Sequence, residues 1–289
     1  MFEGAYTALI TPFRRDGSVD YGKLRELVEF QIAGGIDGLV PVGTTGESPT
    51  VDVEEHIEIV RVVVEAAAKR VKVVAGSGAN ATAEALELTE RARDVGADGT
   101  LQVTPYYNKP TQTGLIRHFS AVADLGLPVI LYNVPGRSAC EIAVATIAEL
   151  AKHPHIVSVK EAAGSVDRVS RIKSVCDIGV FSGDDSLTLP MMSVGACGVI
   201  SVASNVAPRA VADLVHAAAA GRWEEARRLH YKYYNLFNDV FIETNPIPVK
   251  AAVEMIGLAP AFYRLPLCEM AAANREKLRA TLQQCGLVK

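Results

Sequence analysis

Gly38-Leu39-Val40-Pro41-Val42-Gly43-Thr44-Thr45-Gly46-Glu47 is an apolar run that breaks into a turn rich in glycine and hydroxyl groups. Behind it, Val53 to Ala68 places apolar residues at three- and four-residue spacing, the pattern of an amphipathic helix. Strand, polar turn and helix make one βα unit, and the unit recurs along the chain. Apolar runs return at roughly Ala5 to Ile10, Val71 to Ala75, Gly99 to Val103, Pro128 to Tyr132, Ile156 to Lys160, Ile178 to Phe181 and Gly198 to Val202. Runs so nearly apolar suit parallel strands covered on both faces. Between them, helices are expected over Tyr21 to Ala33, Ala83 to Val95, Thr113 to Ala123 and Pro208 to Ala219. Gly34-Gly35, Gly96 and Gly126 stand where a left-handed residue would close a helix.

Eight such units ending near residue 220 predict an α/β fold, a closed TIM (β/α)8 barrel. An open doubly wound sheet would carry a glycine-rich nucleotide loop after its first strand, where this chain reads Thr11-Pro12-Phe13. After Gly221 the strand signal stops. Trp223 to Phe241, Ile247 to Ile256 and Glu269 to Cys285 read as helices, punctuated by Asn245-Pro246, Pro260 and Pro266. The expected organisation is a barrel catalytic domain over 1–221 and a small C-terminal α-helical appendage over 222–289. So small an appendage should pack on the barrel or on a neighbouring subunit.

The 29 basic and 33 acidic residues leave a net charge of −4, no field for a polyanion, so nucleic acid is not an expected partner. No apolar run approaches membrane-spanning length, and Met1 to Tyr6 lacks the basic start of a signal peptide, so a soluble cytoplasmic protein with no membrane partner is expected. Five widely spaced cysteines read as buried free thiols, and six histidines as surface or capping residues. Asp184 and Asp185 lack a third ligand and fit the start of the next helix, so neither a metal nor another cofactor is expected.

Barrel chemistry collects at the carboxyl ends of the strands. Those ends are polar here: Gly43-Thr44-Thr45-Gly46-Glu47, Thr104-Pro105-Tyr106-Tyr107-Asn108, Tyr132-Asn133-Val134-Pro135-Gly136-Arg137, Lys160-Glu161 and Ser182-Gly183-Asp184-Asp185. A lysine closing an apolar strand puts its head in a low-dielectric mouth, which disfavours the ammonium ion and frees the lone pair an imine-forming amine needs. The competing reading is a strand-end lysine paired with Glu161. Thr44 and Thr45 offer hydroxyls and N–H groups to a small carboxylate, or form a plain turn. Tyr132 with Tyr106 and Tyr107 could relay protons through the threonine hydroxyl, or be core tyrosines. Arg137, on a turn, suits a second carboxylate or a surface ion pair.

In order and spacing these segments, with Lys160-Glu161-Ala162 and Asn245-Pro246-Ile247-Pro248-Val249-Lys250, closely resemble the dihydrodipicolinate synthase family over essentially the whole chain. The resemblance implies a lyase of the N-acetylneuraminate lyase superfamily. Lys160 would form an imine with pyruvate, Tyr132, Thr44 and Tyr107 would relay protons, and Tyr107 would be lent across a tight dimer within a homotetramer. Thr45, Gly183 and Ile200 would bind substrate, and Arg137 would hold the carboxylate of L-aspartate 4-semialdehyde. It also implies L-lysine as feedback inhibitor at Ser48, His56, Asn80, Glu84 and Tyr106. Two positions depart from enterobacterial-type members: Val53 stands where they carry histidine, and Pro49 where they carry alanine. The alternatives are a superfamily aldolase acting on a sugar acid or hydroxy-oxo acid, and a barrel that binds without catalysing.

Overall fold

The computed structural model describes residues 2–289; Met1, first residue of the stretch read for a leader, lies outside them. Eight parallel strands, β1 (Gly4–Ala8), β2 (Gly38–Val40), β3 (Lys72–Ala75), β4 (Gly99–Val103), β5 (Val129–Asn133), β6 (Ile156–Glu161), β7 (Gly179–Ser182) and β8 (Gly198–Ser201), close into a barrel in chain order. Helices α1 (Tyr21–Ala33), α2 (Val53–Ala67), α3 (Thr82–Asp94), α4 (Gln112–Ala123), α5 (Pro135–Ser138), α6 (Val144–Leu150), α7 (Val166–Lys173), α8 (Thr188–Met192) and α9 (Pro208–Ala219) surround it. Three more follow, α10 (Trp223–Asp239), α11 (Ile247–Met255) and α12 (Ala272–Gln284). The eight expected strands are present, and α1 and α9 have the expected bounds. The expected helices gave no warning of α5 to α8, four to eight residues each, too short to show a repeating apolar face.

Local chemistry sets the helix ends. Asp20, Asp52 and Thr111 accept the N–H groups of Lys23, Glu55 and Gly114 at the starts of α1, α2 and α4. Gly35, Gly96 and Gly126 are left-handed after α1, α3 and α4, as expected; Gly34 before the first of them is not. Barrel closure between β8 and β1 needs Gly198, where a Cβ would stand 1.9 Å from the Gly4 carbonyl oxygen.

Two apolar layers result from the alternation of side chains along the strands. Tyr6, Val40, Leu101, Tyr132, Phe181 and Ile200 fill the barrel. The opposite strand faces join the helices in a larger core that continues into the C-terminal helices through Leu236, Phe237, Val249, Leu278 and Leu282. The segment after Gly221 therefore packs on the barrel. No helix among the described residues is long and apolar enough to cross a membrane.

The histidines and cysteines depart from expectation. His56, His118 and His230 are buried rather than on the surface, because they sit on the inward stripes of α2, α4 and α10. Of the cysteines, all free, only Cys285 is buried; Cys268 is exposed and the other three half-buried.

Burial holds the His56 ring neutral, moving its pKa from 6.5 down to about 4, with the charge of Arg91 acting in the same direction. The unfolded chain then takes up a proton that the folded chain refuses. Stability present above pH 6.5 should be lost as pH falls through about 4, by about 3 kcal/mol from this residue. Denaturant unfolding at pH 7.5 and pH 5 should show about 2 kcal/mol of this loss, and His56→Leu should remove that share; an unchanged slope in the variant would contradict the assignment.

Candidate active site

Lys160 lies near the end of β6, in register with Tyr132 on β5 and Phe181 on β7. Its side chain points into the barrel mouth and is 5% exposed, with Nζ 4.3 Å from the centre of the Tyr132 ring. The neighbouring residues face the other way. Glu161 accepts from Asn133 Nδ2 at 2.8 Å and from the Ala163 N–H at 3.0 Å, and Arg168 Nε stands 3.0 Å from its second oxygen. Lys160 is thus not the partner of Glu161, because adjacent strand residues lie on opposite faces. Among the described residues it has no ion-pair partner.

A cavity of about 180 Å³ collects Thr44 and Thr45 after β2, Tyr132 and Arg137 from β5 and the segment after it, Lys160 from β6 and Gly183 after β7. A larger cleft of about 510 Å³ opens by Lys69, Arg70, Lys72 and Asp98, but Lys72 pairs with Asp98 and Arg70 with Glu29, Lys69 is exposed, and no hydroxyl or phenol lines it. The chemistry converges in the smaller space. Burial pushes the Asp184 carboxyl on its wall above the usual range, against the pull of the Lys160 charge.

Asn245 also lines the cavity, and its reading as helix punctuation missed this role. Its side-chain Nδ2 donates to Thr45 Oγ1 at 2.9 Å, and its carbonyl accepts from Arg137 Nη2 at 3.1 Å. One residue of the C-terminal segment therefore joins the two groups that sequence reasoning assigned to separate carboxylates. The only signal was its place beside Pro246 in the segment 245–250.

Other expectations need correction. Arg137 sits in the helical turn α5 rather than on an irregular turn, since Pro135 presets the first helical residue. Asp185 opens a single 3-10 turn, Asp185–Leu187, ahead of α8, but its carboxylate caps neither. Its carboxylate crosses to the end of β8 and accepts from Ser201 Oγ and from the N–H groups of Val202 and Ala203, the last two at 3.0 Å. Ile200 is fully buried inside the barrel and does not line the cavity. Tyr107 is 91% exposed, with a left-handed backbone (φ 73°), and does not line this chain's own cavity.

The residues matched to a lysine site are only partly gathered. Asn80 Nδ2 donates to the Tyr106 carbonyl at 3.4 Å, and burial with the charge of Glu84 raises the Tyr106 phenol. Ser48 shares a narrow crevice with Thr44 and Tyr132, whereas His56 is buried. Among the described residues, no three His, Cys, Asp or Glu side chains form a metal-binding group.

A closed (β/α)8 barrel with a buried amine facing hydroxyls, a phenol and a guanidinium at its carboxyl-end mouth defines a barrel enzyme. The family model for the dihydrodipicolinate synthetase family matches residues 1–285. The 4-hydroxy-tetrahydrodipicolinate synthase of Geobacter metallireducens is 53% identical, with 100% of each chain covered. A chloride-inhibited dihydrodipicolinate synthase from Acinetobacter baumannii, solved in complex with pyruvate, is 44% identical, with a TM-score of 0.98 and 100% of each chain covered. The synthase from Cyanidioschyzon merolae with lysine bound is 41% identical, with a TM-score of 0.96 and 99% of each chain covered. The chain belongs to the dihydrodipicolinate synthetase family and is a lyase.

The Asp185 bridge predicts its own test. Asp185→Asn keeps the size but turns an amide NH2 toward one of the three donors, leaving buried groups unpaired. Stability in denaturant should fall by about 2 to 3 kcal/mol. A variant as stable as the parent would contradict the bridge.

Proposed function

We propose that this lyase is a 4-hydroxy-tetrahydrodipicolinate synthase, condensing pyruvate with L-aspartate 4-semialdehyde on the diaminopimelate route of lysine biosynthesis in the cytoplasm. The observation that carries the reading is the unpaired Lys160 amine over the Tyr132 ring, in one cavity with Thr44, Thr45 and Arg137. Full-length identity with relatives of that name supports it.

The neutral amine attacks the ketone carbon of pyruvate, and loss of water leaves an imine. The threonine turn holds the pyruvate carboxylate with its N–H groups and hydroxyls, and the bond from Asn245 fixes which way Thr45 Oγ1 points. Loss of a methyl proton gives an enamine, whose carbon bonds to the aldehyde carbon of the second substrate while the aldehyde oxygen takes a proton. Tyr132 and Thr44, lining the same wall, move these protons. Arg137 receives the second carboxylate, and attack by water or by the product's own amine frees Lys160.

Tyr107 completes this relay in our reading only from a second copy of the chain. Its exposure and left-handed backbone suit an aromatic presented to a partner, in a dimer or a dimer of dimers that makes the homotetramer. L-Lysine is the proposed feedback inhibitor, seated by Ser48, Asn80, Glu84 and Tyr106 with His56 behind them. The crevice shared by Ser48, Thr44 and Tyr132 offers a path for its effect.

In a coupled assay with pyruvate and aspartate semialdehyde the enzyme should turn over. Arg137→Ala should lower kcat/KM for the semialdehyde by roughly a hundredfold or more, with the pyruvate KM little changed. Tyr132→Phe keeps the ring beneath the amine and should lower kcat by roughly a hundredfold. Activity on a 2-keto-3-deoxy sugar acid without synthase turnover would overturn the substrate assignment in favour of the sugar-acid aldolases.

A further inference from the structure

The threonine turn is anchored from beneath by charges that the reaction does not use. Glu47, its last residue, is fully buried and left-handed (φ 59°), a conformation a non-glycine residue keeps only when its surroundings enforce it. Its N–H donates to the Thr44 carbonyl at 3.1 Å, so the position of Glu47 sets the position of Thr44. Both carboxylate oxygens are held: Oε1 by Lys250 Nζ at 2.5 Å, Oε2 by the Arg264 N–H at 3.3 Å.

Lys250 is itself fully buried on α11, with Nζ 4.3 Å from the centre of the Phe13 ring and 5.2 Å from that of Tyr263. Its N–H bonds to the Pro246 carbonyl, which places it one turn beyond Asn245. One segment thus grips one turn twice, through Asn245 on Thr45 and through Lys250 on Glu47. Burying two charges brings little net stability over an apolar pair of similar size, so stability alone does not account for placing them here.

We propose that Lys250 and Glu47 are positioning residues, which hold the Gly43–Glu47 turn in the shape that receives the carboxylate of pyruvate. The proposal rests on the reading of Thr44 and Thr45 as the pyruvate carboxylate site. It makes the C-terminal helices part of the substrate site.

Lys250→Met, Glu47→Gln and the doubly substituted enzyme are measured in steady state, the double because it leaves no unpaired buried charge and so keeps the fold testable. The expected result is a pyruvate KM raised about tenfold or more, with kcat and the semialdehyde KM moved less than about threefold, in the double as well as in any single that folds. Thr281→Val, which breaks the buried bond from Thr281 Oγ1 to Asp239 far along α12, is the control: it should lose thermal stability with an unchanged pyruvate KM. A folded double variant with normal pyruvate KM overturns the positioning role, as does a control that raises the KM equally. A parent enzyme that turns over no pyruvate defeats the underlying reading and takes the proposal with it.

Discussion

The structure depends on where it leaves a buried amine without a partner. Two lysines are almost wholly removed from water. Lys250 is neutralised by Glu47 and flanked by two aromatic rings. Lys160 has the face of Tyr132 and the more distant fields of Asp184 and Asp185. With no carboxylate in contact, the Lys160 amine is left facing the cavity and its threonine hydroxyls, its phenol and its guanidinium. The same residue type is therefore ion-paired in one place and unpaired in the other, which is why we propose the second as the nucleophile.

Strand parity creates that company. Because side chains alternate, β5 and β6 send Tyr132 and Lys160 into the mouth, and Asn133 and Glu161 outward, where they bond across the two strand ends. The outer pair fixes the register that sets the inner one. On the far side of the mouth, Asp185 ties the end of β7 to the end of β8. The walls of the cavity are thus bonded behind the residues that face it.

Much of this was legible in the chain. Strands covered on both faces read as apolar runs, and the polar residues that end them stand out: Lys160, Tyr132, Thr44, Thr45 and Arg137 were picked from that contrast and do share the cavity. The resemblance drew attention to Gly183, which joins them, and to Ile200, which does not. What stayed hidden depends on pairing across the fold. Asn245 meets Thr45, and Lys250 meets Glu47, across some 200 residues of chain, and nothing local to either partner announces it. Asp185 showed only its charge, not that it would reach to β8. Burial of His56 follows from the side of α2 that meets the barrel, which a lone histidine in a helical pattern does not reveal. Tyr107 could be named but not placed, since its proposed partner lies outside its own chain.

The central claim, that the unpaired amine of Lys160 is the nucleophile, is most directly tested by borohydride reduction in the presence of pyruvate, followed by peptide mapping. The account predicts one reduced pyruvyl adduct per chain, on the peptide that contains Lys160, and none in Lys160→Arg. An unmodified protein, or an adduct carried by another lysine, would contradict it.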